Sequence, residues 1–109
     1  MKVFVYAVYD SAAGVYRQPF FLQTDQLAQR AFQDIVLNPE TDLNKHPKDF
    51  TLFRVGIFDD NAGRLEGEVP VALGTAQEVV KASRHIEPGS LKEGNQFDTA
   101  AEQVLAEVN

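Results

Sequence analysis

The chain has 109 residues, of which 44% are hydrophobic and 24% charged, with no cysteine and a formal net charge of −6. These values fit one globular domain with a modest core. They exclude disulfides and thiolate metal sites, and they argue against unspecific coating of nucleic acid, which needs clustered Lys and Arg to displace counterions.

Residues 2–9 are β-branched and aromatic and predict a strand that is apolar on both faces. Asp10 to Gly14 supply a turn, with Gly14 able to take positive φ. Residues 15–18 continue as a short second strand that Pro19 ends, because proline has no N–H for the ladder. Thr24 is an N-cap and Asp25 suits the positive end of a helix dipole, so a helix is expected from there to Leu37. Its apolar stripe is Leu27, Ala28, Ala31, Phe32, Ile35 and Val36. Residues 38–49 read as a polar connector. Residues 50–58 form a third strand, Asp59 to Gly63 its turn, and 64–69 a fourth strand. Thr75 and Glu78 fit a capping box before a short helix over 76–83, with an extended run from Val69 to Val80 as the alternative. Pro88-Gly89-Ser90 marks a linker, and 98–108 is an amphipathic helix candidate.

The chain repeats itself. Tyr9-Asp10-Ser11-Ala12-Ala13-Gly14 aligns with Phe58-Asp59-Asp60-Asn61-Ala62-Gly63, and the segment from Pro19 to Gln26 aligns with that from Pro70 to Gln77. The expected fold class is therefore α+β: a tandem ββα-ββα pseudo-repeat forming one antiparallel sheet with helices on one face. The expected domain is 1–85, built of units at about 1–37 and 50–84. Residues 86–109 follow as an acidic linker and a short C-terminal helix. Superposing the copies places Phe4, Tyr6 and Val8 with Phe53, Val55 and Ile57 against the helices. Val3, Val5, Ala7 and Tyr9 then share the other face with Leu52, Arg54, Gly56 and Phe58. That second face is still mostly apolar, whereas a solvated sheet face alternates with polar residues, so it is expected to be covered by the C-terminal helix, a second subunit or a ligand.

No catalytic constellation is visible, and no enzyme is expected. Asp59-Asp60-Asn61 with Gly63 resembles the start of a calcium loop but lacks the later bidentate Glu, so it reads as a hairpin turn. His46 and His85 fall in different predicted loops without ligand-type neighbours. Ser11, Ser83 and Ser90 lack a nucleophile-elbow context, and Gly14, Gly56, Gly63, Gly67 and Gly74 match no phosphate-loop fingerprint. No metal or cofactor is implied. The remaining candidate is a nucleic-acid-binding surface, because single-strand binders pair aromatic platforms with a cationic track. Tyr9, Tyr16 and Phe58 supply rings near the turns, and Arg17, Arg54 and Arg64 supply charge. The competing reading makes the rings core or dimer contacts and the arginines solvated.

The chain resembles the small nonstructural protein of gokushoviruses, single-stranded DNA phages of the Microviridae. The residues that carry the likeness are Tyr6-Ala7-Val8-Tyr9-Asp10, Pro19-Phe20-Phe21 and Ala28-Gln29-Arg30-Ala31-Phe32. Pro47-Lys48-Asp49-Phe50-Thr51-Leu52 and the stretch from Gly56 to Gly63 follow in order. The resemblance spans residues 1 to about 80. It implies an accessory factor in viral genome replication or packaging, with DNA binding as the suggested activity and no catalytic motif to carry over.

Two functions follow as expectations. One is a homodimeric phage protein that binds single-stranded DNA through its sheet or hairpin tips. In that reading Arg17, Arg54 and Arg64 share a surface with exposed rings, and charge reversal at Arg54 removes binding without unfolding. The other is an acidic interaction module that oligomerises through the sheet face and engages a basic replication or capsid protein. Either acts in the host cytoplasm, without a membrane partner, because the first apolar run is too short to span a bilayer and has no cleavage pattern.

Overall fold

The computed structural model describes residues 1–83; the acidic linker and the helix expected at 98–108 lie outside the described residues, as do His85 and Ser90. Among the described residues the fold is α+β, one antiparallel sheet with three α-helices. β1 (Lys2–Asp10) and β4 (Phe50–Asp59) pair at its centre. β5 (Arg64–Thr75) flanks β4, while β2 (Val15–Tyr16) and β3 (Phe20–Leu22) lie end to end along the other side of β1. Helices α1 (Asp25–Leu37), α2 (Asp42–Lys45) and α3 (Ala76–Ser83) cover one face.

Both hairpin turns close in the same way. The Gly14 N–H donates to the Asp10 carbonyl at 2.8 Å, and the Gly63 N–H to that of Asp59 at 2.8 Å. The Asp10 carboxylate accepts from the N–H groups of Ala12 and Ala13, and the Asp59 carboxylate from those of Asn61 and Ala62. Gly14 and Gly63 sit at φ 71° and 66°, which glycine adopts without penalty. The bonds from Ala62 and Asn61 favour the ionised carboxylate, so Asp59 titrates below the usual range.

The first helix starts where its cap dictates: the Thr24 hydroxyl accepts from the Leu27 N–H at 3.2 Å. Ala28, Ala31, Phe32 and Val36 are buried and Ile35 half-buried, but Leu27 is exposed because it lies about 100° round the helix from Ala28. With Tyr6, Phe20, Phe50 and Leu52 from the sheet and Leu43 from α2 they form the core. Each fully buried side chain of this size contributes about 1.5–3 kcal/mol.

The connector is more ordered than its composition implies. Thr41 caps α2 by accepting from the Asn44 N–H at 3.2 Å, and its hydroxyl also donates to the Ile35 carbonyl at 2.7 Å. A 3₁₀ turn, Pro47–Asp49, then leads into β4. β5 also exceeds expectation, running through Pro70 to Thr75 instead of stopping at 69. Pro70 is tolerated there because β5 is an edge strand. The short helix starts at Ala76 as its cap predicts, the Thr75 hydroxyl accepting from the Glu78 N–H at 3.1 Å.

One register feature corrects the expected faces of β4. Val5 pairs with Gly56 and Tyr6 with Arg54, so Val55 is an extra residue in a bulge. A one-residue insertion inverts the face of everything beyond it. Leu52 and Arg54 therefore lie on the helix side with Ile57, whereas Phe53 joins Phe58 on the opposite face. Among the described residues no helix is long and apolar enough to cross a membrane.

Candidate functional site

Strand alternation builds the second face of the sheet. On β1 it presents Val3, Val5, Ala7 and Tyr9; registered beside them are Tyr16 of β2, Phe21 of β3, and Phe53 and Phe58 of β4. Leu65 and Ala72 of β5 extend it. None of these positions carries a charge, and the described helices all lie on the other side.

The rings fall into two groups. Tyr9 and Tyr16 stand with centroids 4.8 Å apart, and Phe53 meets Tyr16 edge-on at 5.6 Å. Some six residues along β1, about 20 Å at strand rise, Phe21 meets Phe58 at 6.0 Å. Val5 and Ala7, between the two groups on β1, are only 5% and 3% exposed. Tyr16 at 44%, Phe21 at 47% and Leu65 at 64% remain open to solvent.

The arginines are placed differently. Arg17 reaches into the helix layer, where its guanidinium donates to the Asp42 carboxylate through both terminal nitrogens and lies over the Phe50 ring at 4.8 Å. That partner holds the Asp42 carboxyl below its ordinary range. Arg54 donates from Nε to Glu68 at 2.6 Å and from Nη1 to Asp25 at 2.7 Å, with its guanidinium over the Phe4 ring at 5.3 Å. Asp25 also accepts from the Tyr6 hydroxyl at 2.8 Å. This network joins β1, α1, β4 and β5. Glu68 raises the Arg54 guanidinium still further above neutrality, while burial, reinforced by Asp25, pushes the Tyr6 phenol well above its usual range. Arg64 lies at the second hairpin tip, exposed, with Glu66 at 3.4 Å.

Of the six residues expected to form a binding surface, the structure unites Tyr9 with Tyr16. It sets Phe58 at the far end of the same face, sends Arg17 and Arg54 to the helix side, and leaves Arg64 at a tip. The expectation that the three arginines share a surface with the exposed rings does not match this geometry, because the Val55 bulge turns Arg54 under the sheet. Phe53 and Phe21 are the members of the face that sequence reasoning missed: Phe53 through the same bulge, Phe21 because its segment aligned with a helix approach. Among the described residues, no group of His, Asp and Glu is arranged to hold a metal ion.

The fold and this face together define a small α+β protein with one sheet, helices on one side and an uncharged aromatic surface on the other. The chain belongs to the Phage ORF5 protein family, whose sequence model matches residues 3–79, from β1 into α3. Membership marks it as a phage accessory protein. No curated protein and no solved structure matches the chain.

Proposed function

We propose that this is a non-enzymatic accessory factor of single-stranded DNA phages of the gokushovirus type. It acts in genome replication or packaging in the host cytoplasm, as an oligomer joined through the open face of its sheet. Two tandem ββα units, the second carrying the Val55 bulge, are part of this reading; the matching Asp10 and Asp59 turns support it.

The observation that carries the proposal is the absence of charge from the open face among the described residues. In a two-fold interface each patch meets a copy of itself. A charged patch then faces its own sign, whereas an uncharged apolar patch gains from burial without repulsion. A chain of net charge −6 can self-associate only where its acidic side chains are not brought together. The acidic surface outside the interface suits a basic replication or capsid protein.

A second reading places single-stranded DNA on the same rings. Its support is the exposure of Tyr16 and Phe21, since bases stack on aromatic platforms. The engagement of Arg17 and Arg54 with carboxylates weighs against it.

Sedimentation equilibrium of the full chain, beside titration of a labelled single-stranded oligonucleotide, separates the two. A dimer or larger assembly that Phe21→Glu converts to a folded monomer supports the first. A wild-type monomer whose oligonucleotide binding is lost in Tyr16→Ala and Phe21→Ala supports the second and overturns the first.

A further inference from the structure

The helix layer holds a feature unrelated to the aromatic face. An open groove of about 430 Å³ runs between the end of α2, the 3₁₀ turn and α3. Lys45, His46, Lys48 and Asp49 line it from α2 and the 3₁₀ turn, and Gln77, Val80 and Lys81 from α3. The three lysines and His46 are exposed. Among the described residues no carboxylate forms an ion pair with Lys45, Lys48 or Lys81, although the described part of the chain carries more acidic than basic side chains. Arg17 and Arg54, by contrast, each hold carboxylates. Lys45 and Lys81 stand in the last turns of α2 and α3, where a cation also complements the helix dipole. That accounts for each lysine singly, but not for their meeting Lys48 in one groove.

We propose that this groove binds the phosphodiester backbone of single-stranded nucleic acid, with Lys45, Lys48 and Lys81 as its phosphate contacts. Three lysines that outnumber the one lining carboxylate, Asp49, repel one another, and a bound polyanion relieves that repulsion. The groove is not an enclosed cavity and its cations come from three elements, α2, the 3₁₀ turn and α3, which suits a chain of phosphates better than one enclosed anion. Lysine is a phosphate ligand that acts as a mobile point charge. The groove and the aromatic face lie in opposite layers, so a copy seated on the sheet leaves the groove accessible. The inference deepens the nucleic-acid side of the second reading above by moving its site, and it stands whether or not the rings stack bases.

The test is titration of a labelled single-stranded oligonucleotide with the full chain at several salt concentrations. Inorganic phosphate is added as a competitor in one arm. Three phosphate contacts give a slope of log K against log salt of about −2, so a fourfold rise in salt weakens binding about 20-fold. Each single Lys→Ala change lowers the slope by about 0.7, and Lys45→Ala/Lys48→Ala/Lys81→Ala together abolish binding. Because these side chains are exposed, the triple variant keeps its circular dichroism and its sedimentation behaviour, so lost binding is not lost folding or lost assembly. Binding by the triple variant at wild-type strength overturns the proposal and returns attention to the rings, whose own test is Tyr16→Ala and Phe21→Ala. No binding by the wild type at low salt also overturns it. Complete competition by inorganic phosphate at concentrations comparable to oligonucleotide phosphate identifies a site for a single free phosphate, which overturns the backbone assignment.

Discussion

Arg54 changes meaning once its surroundings are known. Read from the chain, it was a candidate DNA contact whose reversal leaves the fold intact. In the fold it is the cation between Asp25 and Glu68. Arg54→Glu sets three carboxylates together and is expected to cost at least about 2 kcal/mol, with Arg54 partly exposed and the loss discounted accordingly. Chemical denaturation checks this; unaltered stability removes Arg54 from the framework. Tyr6 tests the same network from its other end, through Asp25. Loss of its hydroxyl in Tyr6→Phe costs about 1–2 kcal/mol, because Asp25 loses a donor in a part-buried site. The raised phenol also has a pH consequence. A group whose pKa is higher folded than unfolded gives stability that is complete below the unfolded value and falls as pH rises above it. Stability is therefore expected to decline above about pH 10, less steeply in Tyr6→Phe than in the wild type. Equal slopes in an alkaline unfolding series would refute the assignment.

The strands and helices show which signals local sequence carries. Thr24 and Thr75 each place a helix start to the residue, because a hydroxyl that caps a free N–H is a short-range event. Gly14 and Gly63 mark both turns for the same reason. Neither glycine has an atom within 4 Å of a built Cβ, so Gly14→Ala and Gly63→Ala are expected to cost about 1–2 kcal/mol each from φ alone. Gly56 differs. A Cβ there comes within 2.5 Å of the Glu66 carbonyl oxygen. Gly56→Ala is expected to part β4 from β5 locally and cost about 1–3 kcal/mol, with amide exchange accelerating at the β4–β5 ladder and not in α1. Uniform exchange in wild type and variant would contradict that. The bulge itself was not legible: Phe53-Arg54-Val55 alternates acceptably in either phase, and only pairing with β1 decides it. The same holds for the lysine groove, where Lys45 and Lys48 come from the connector and Lys81 from a helix far along the chain. What was legible at this scale was that a second sheet face is apolar, since that needs only strand composition.

At the scale of the molecule, the sheet divides two kinds of surface. One is uncharged and aromatic; the other carries the helices, the Arg17 and Arg54 ion pairs and the lysine groove. If the open face joins copies, unfolding is coupled to dissociation. The melting temperature then rises with protein concentration, by the equivalent of about 1.4 kcal/mol per tenfold for a dimer. Phe21→Glu is expected to make it independent of concentration while leaving the far-ultraviolet spectrum unchanged. A wild-type melting temperature constant over a hundredfold range would argue for a monomer.

The two outermost lines of backbone in this sheet each contain a proline. Pro19 separates β2 from β3 along one margin, and Pro70 interrupts β5 along the other. A missing donor weakens a margin as a template for another strand, one of the ways natural sheets resist unlimited polymerisation. If copies of this chain join, the open face is then the favoured route, and a two-layer stack uses up its own apolar surface. Under that condition crowding favours closed, countable particles over fibres.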